Sequence, residues 1–157
     1  MIYPSLAVAN TFLFLHNHSH EQQVVMDIER LHQFCFLAHT LFTQDFKTLL
    51  IDELIIVGDY FPMYEGISRA FSDSVEGQEI TSYGKMLDYQ SQRQIIPFIE
   101  EEDGPLFIVR EVYNNFCLFT NRKLEHFLNH KGTCYNTAAS AGFLFIHPQD
   151  VYLRIGQ

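Results

Sequence analysis

Apolar residues recur three and four positions apart between residues 28 and 41. Ile28, Leu31, Phe34, Cys35, Ala38 and Leu41 therefore share one face of an α-helix. Asp27 stands at the N-cap position, where a short side-chain oxygen can accept a free backbone N–H. Arg30, His32, Gln33, His39 and Thr40 fill the other face, which is expected at the surface with both histidines exposed. Upstream, Leu6, Ala9, Phe12, Leu13 and Phe14 predict a helix over 6–15 capped by Ser5, followed by a polar loop over 16–23.

The pattern then changes. Residues 49–57 are short, β-branched and closed by Gly58, which predicts a strand. Gly58 to Pro62 reads as a turn into a helix, with Pro62 in its first turn and Met63, Ile67, Ala70 and Phe71 facing inward. A second strand over 79–83 would complete a ribbon that needs helix packing to be stable. Residues 87–104 are polar and read as a loop. Pro105 at the first helical position opens a long helix, its inner stripe being Leu106, Val109, Val112, Tyr113 and Phe116. The acidic run Glu100 to Asp103 lies near the positive end of that helix dipole. Asn121 caps a helix to Leu128, Thr133 caps a short one over 135–139, and His147-Pro148 opens a last helix with Val151, Tyr152 and Ile155 inward. The expected fold class is mainly α: one compact domain over 1–157 with about six or seven helices and a small two-stranded β ribbon.

Composition supports a single core. The chain has 157 residues, with 15 phenylalanines, 8 tyrosines and no tryptophan. Burying each phenylalanine is worth about 1.5–3 kcal/mol. The formal net charge of −9, with ten scattered Lys and Arg, gives no basic stripe to replace the counterions of DNA or RNA. An anionic membrane surface is disfavoured in the same way, whereas a basic protein partner is favoured through its association rate. Cys35, Cys117 and Cys134 form no disulfide framework, which suits a reducing compartment. The apolar stretch Leu6 to Leu15 lacks a basic leader and is too short to span a bilayer, so a cytoplasmic location is expected.

Local clusters offer little chemistry. His16, His18 and His20 alternate, but no cysteine or registered acid completes a metal site. His126 and His130 share a helix face at the spacing of two zinc ligands, yet Phe127 stands where a catalytic glutamate would follow. They are weak metal candidates, and no cofactor is implied. Cys134 near a helix N-terminus, four residues after His130, could form a thiol–imidazole pair. Ser72, Ser74 and Ser140 lack a nucleophile elbow, and no glycine-rich phosphate loop occurs.

Several segments, in order, resemble the Panacea domain of the SocA-like antitoxins and GepA-like phage-associated proteins. Ser5 to Leu15 is similar to that family's opening helix, and Ile28 to Ala38 to its K-L-Q-K-L-x-Y-x-A helix. Val57 to Tyr64 stands where the family has W-x-x-G-P-V-x-x-x-x-Y, with extra residues between Gly58 and Pro62. Glu111 to Phe116 resembles a V-x-x-x-Y helix end. Leu124 to Ala138 resembles L-x-x-x-T-H-x-x-x-x-P-W-x-x-A, with Cys134 for the proline and Tyr135 for the tryptophan. Ile146 to Tyr152 resembles the closing I-x-x-x-D-I-x-x-Y.

The resemblance implies a helical module that neutralises a toxin by direct binding, sometimes as an adaptor for a protease. No catalytic group is needed for that. The expected partner is a protein with a basic surface, and Tyr60, Phe61, Met63 and Tyr64 are the candidate contact residues. Two other readings remain: a secreted or host-directed interaction protein reusing the fold, and a metal-dependent enzyme using histidine ligands.

Overall fold

Helix α2 (Ile28–Phe46) is the axis of the molecule. The structure, a computed structural model, describes residues 2–19 and 24–153. Asp27 caps α2 as expected, its Oδ1 accepting the Arg30 N–H at 2.9 Å. The expected surface face is not a surface, however: Arg30, His32, Gln33, His39 and Thr40 are all buried alongside Leu31, Phe34 and Leu37. The reason is that α2 is enclosed by helices α1 (Ser5–Asn17), α4 (Phe107–Phe116) and α5 (Asn121–Leu128) and by the strand at Pro62–Tyr64. A helix surrounded on every side must bury its polar residues too: Arg30, His32 and His39 find hydrogen-bond partners there, whereas the Gln33 amide and the Thr40 hydroxyl have none among the described residues.

Helix α1 is longer than expected. Ser5 lies inside it rather than at its cap, and its N–H and hydroxyl both donate to Glu53, at 2.6 and 2.9 Å. A distant carboxylate therefore terminates this helix. His16 and Asn17, expected in a loop, form its last turn. Buried Asn10 donates to the carbonyls of Gly84 and Pro97 and accepts the Gly84 N–H, pinning the 84–97 segment to α1. Gly84 approaches so closely that an added Cβ would lie 2.6 Å from Leu6 Cδ1 and 2.9 Å from Phe71 Cζ. Gly84→Ala is accordingly expected to lower stability by about 1–3 kcal/mol in urea denaturation; an unchanged midpoint would contradict this packing.

Strands depart most from expectation. Residues 62–64 begin no helix: they form β2 (Pro62–Tyr64), which pairs antiparallel with β1 (Ile55–Val57). The helix α3 (Glu65–Ala70) follows, with Ile67 buried. Of the long expected strand only its end is regular, and Ile51 makes a single bridge to Tyr3. No strand forms over 79–83. The expected loop over 87–104 instead contains a hairpin of β3 (Met86–Asp88) and β4 (Arg93–Ile95). Gly104, with φ of 76°, breaks the backbone, and helical dihedrals resume at Pro105 as expected; a π-turn, Glu102–Leu106, leads into the regular α4 from Phe107.

Thr120, rather than Asn121, caps α5 by accepting the Lys123 N–H. Thr133 caps α6 (Cys134–Ser140) as expected. A final strand, β5 (Phe145–Ile146), adds to β1, giving a three-stranded antiparallel sheet in the order β2-β1-β5. The expected last helix is one 3-10 turn, Pro148–Asp150; Val151 is buried, Tyr152 is exposed, and Ile155 lies outside the described residues. Six α-helices, this sheet, the hairpin, one π-turn and the 3-10 turn make up the described regular structure, which is richer in strands than the expected ribbon. Among the described residues no helix is long and apolar enough to cross a membrane.

Candidate protein-binding surface

The three-stranded sheet has two unlike faces. Ile55, Tyr64 and Ile146 are buried on its inner face. Because side chains alternate, Met63, Ile56 and Phe145, which lie opposite one another in the register, form an apolar row across the outer face. The β1–β2 turn carries Tyr60 into solvent, 70 % exposed. The four candidate contact residues thus separate. Tyr60 is on the surface and Met63 is half-buried on the outer face, whereas Phe61 and Tyr64 belong to the interior. Phe61 packs against the His32 ring at 5.9 Å between centroids, and full burial pushes the Tyr64 phenol well above its ordinary pKa.

Against β1, on the side opposite β2, lies a second exposed apolar segment. After Gly142, with φ of 76°, come Phe143, Leu144 and Phe145, which are 60, 72 and 50 % exposed. Leu144 is fixed against β1, its carbonyl accepting the Val57 N–H at 2.9 Å. The Tyr135 hydroxyl donates to the Gly58 carbonyl at 2.5 Å, tying α6 to the turn before Tyr60. A signal was present in the sequence: in a strand, three consecutive large apolar side chains cannot all face one core.

The segments that build the sheet are acidic, with Arg69 at their margin paired to Glu65 at 2.6 Å. Segments 48–68 and 132–153, which build the sheet and its margins, contain Asp52, Glu53, Asp59, Glu65 and Asp150 and not one Lys or Arg. Next to Tyr60 a cleft of about 460 Å³ is lined by Asp59, Glu125, His126, Asn129 and His130. His126 and His130 thus do share one cleft. Among the described residues, though, no group of three or more His, Cys, Asp and Glu is arranged to hold a metal ion.

The remaining chemical candidates resolve into structural roles. His16 is buried, with Nδ1 3.1 Å from the Tyr113 hydroxyl and Nε2 3.2 Å from Glu79. His18 is exposed and stacked on Phe14, and His20 lies outside the described residues. Cys134 is buried, and burial pushes its thiol up, the reverse of the activation a helix N-terminus could have given.

His32 and His39, expected in solvent, are buried. His32 Nδ1 accepts the Tyr64 N–H at 3.0 Å, so its proton sits on Nε2, 3.3 Å from Ser68 Oγ. That tautomer donates to the serine and cannot deprotonate it, so the pair is no nucleophile–base dyad. His39 is bound alike: Nδ1 accepts the Ile51 N–H, and Nε2 donates to the Pro148 carbonyl.

Compared with models of known protein families, with characterised proteins and with solved structures, the chain matches none.

Proposed function

We propose that this protein is a binding module that neutralises a basic protein partner by direct contact, the antitoxin role that its resemblance to the Panacea family implies. The observation that carries this reading is the exposed run Phe143–Leu144–Phe145 at the β5 edge of a chain with a formal net charge of −9. Aromatic and aliphatic anchors at the centre of a patch dominate binding energy, and a field of one sign speeds encounter with the opposite sign. The reading assumes the cytosol, where the free Cys35, Cys117 and Cys134 stay reduced. Proteolytic adaptor action would use the same surface.

The test is co-production with the product of the adjacent gene, in cells where that product alone arrests growth. The native chain is expected to restore growth. The double variant Tyr60→Ala, Leu144→Asp is expected to keep its helical circular dichroism, lose rescue, and bind the toxin about 100-fold more weakly by biosensor. Full rescue by that variant, or no measurable complex with the native chain, would overturn the reading.

A further inference from the structure

We propose that the basic partner adds an extended strand to the outer edge of β5, so that recognition runs through backbone hydrogen bonds as well as apolar anchors. This names the binding mode of the surface described above and rests on that reading.

The two edges of the sheet are treated differently. At β2 the edge is closed: Pro62 has no N–H to offer, and the Tyr64 N–H is taken by His32 Nδ1. At β5 it is open. Val57 and Leu144 lie opposite each other in the register and are joined by the Val57 N–H to Leu144 carbonyl bond. In an antiparallel ladder the next residue along turns its N–H and C=O the other way, so those of Phe145 point away from β1. No hydrogen bond from another described residue reaches either group. An edge that is both unpaired and apolar is what strand addition requires.

Alongside that edge runs a groove of about 260 Å³, with Ala138 and Ile146 among its lining and His147, Asp150 and Tyr152 beside them. Alternate side chains of an added strand can enter it, and the remaining ones face the solvent side. Asp150 lines this groove and the whole chain carries a formal net charge of −9, which favours a strand carrying Lys or Arg at those solvent-side positions. A second copy of this chain, carrying the same net charge of −9, is disfavoured by like-charge repulsion.

The probe is an acetylated, amidated heptapeptide alternating lysine and valine, followed by amide exchange and chemical shifts in NMR. Binding is expected to slow exchange of the Phe145 N–H at least ten-fold. The same peptide with glutamate for lysine, or with N-methylated alternate residues, is expected to bind at least ten-fold more weakly. Phe145→Pro removes the outward N–H without touching the β1 ladder, and should abolish binding. Phe145→Thr keeps the N–H and should bind within about three-fold of the native chain.

Native-strength binding by Phe145→Pro, equal binding of the N-methylated peptide, or protection confined to other segments would overturn the proposal. So would a native dimer in sedimentation that Phe145→Pro converts to monomer, because the edge would then belong to a second copy. Failure of these peptide arms with loss of rescue by the Tyr60, Leu144 double variant removes strand addition alone; persistence of rescue removes the neutralising role itself.

Discussion

Arg30→Met is expected to lower stability by about 3–5 kcal/mol, the largest effect of any single substitution considered for this protein. The Arg30 side chain is only 1 % exposed. Its guanidinium donates to the carbonyls of Phe116, Cys117 and Phe119 and to Asn121 Oδ1, and it lies 4.7 Å from the Phe34 ring centroid. The Phe116 and Cys117 carbonyls stand at the C-terminal end of α4, where intrahelical partners run out, and Phe119 lies just beyond it. Arg30 therefore terminates α4 from inside the core and joins it to α2.

Asp27 completes the knot by accepting the Asn121 side-chain amide and the Gly77 N–H. Burial already pushes the Arg30 pKa down to about 10, a measure of how strongly the interior opposes the charge. Methionine fills similar space but donates nothing, leaving the Cys117 and Phe119 carbonyls without the guanidinium, the Phe116 carbonyl with only the Phe119 N–H, and Asp27 without its neighbouring cation. Arg30→Lys should recover only part of the loss, because an ammonium cannot reproduce the planar fork. Urea denaturation measures both; a loss below about 1 kcal/mol for Arg30→Met would refute this account.

The second large effect is on pH. Burial pushes His32 down to about 4 from its ordinary 6.5, and pushes His39 down as well. Below about pH 6.5 the unfolded chain therefore takes up a proton at residue 32 that the folded chain refuses until about pH 4. Stability falls as pH falls across that window, by about 3 kcal/mol from His32 alone.

Glu29 acts on the other side. Burial first, and then the neighbouring Glu125, Asp27 and Glu76, raise its carboxyl to about 8. Its contribution is complete below the ordinary carboxylate range and is lost as pH rises toward 8. Where the windows overlap, the histidines outweigh the single carboxyl, so stability is expected to peak near about pH 6.5. Urea midpoints from pH 4 to 9 test this. His32→Asn preserves an acceptor for the Tyr64 N–H and should flatten the acid limb, and Glu29→Gln should flatten the alkaline one. A profile level between pH 4 and 6.5 would refute it.

Helix positions were legible in the chain because their signals are local: the Asp27 and Thr133 caps and the apolar stripes of α2 and α4 need no knowledge of tertiary context. What pattern reading could not supply was the surroundings. His32 and His39 read as surface residues because polar side chains usually are, and nothing nearby in sequence reveals the distant N–H groups of Tyr64 and Ile51 that they accept. Pro62 suits a first helical turn as well as an edge strand, and a strand of three residues is too short to display alternation. The β3–β4 hairpin was missed because Gln92, at φ of 58°, occupies the left-handed position where glycine or asparagine would announce a turn. The same limitation hid the candidate surface. Phe61 and Tyr64 neighbour Tyr60 in sequence only; the distant residues that share a cleft with Tyr60 come from α5 and the positions just after it, and the exposed run flanking β1 comes from 143–145, far along the chain.

The unequal edges of the sheet also govern stoichiometry. A sheet open on both sides can template copy upon copy into a fibre, each newcomer exposing a fresh ladder. With Pro62 and His32 blocking β2, growth through this protein stops after a single addition. The complex should terminate at one partner per chain, acting as a plug rather than a seed.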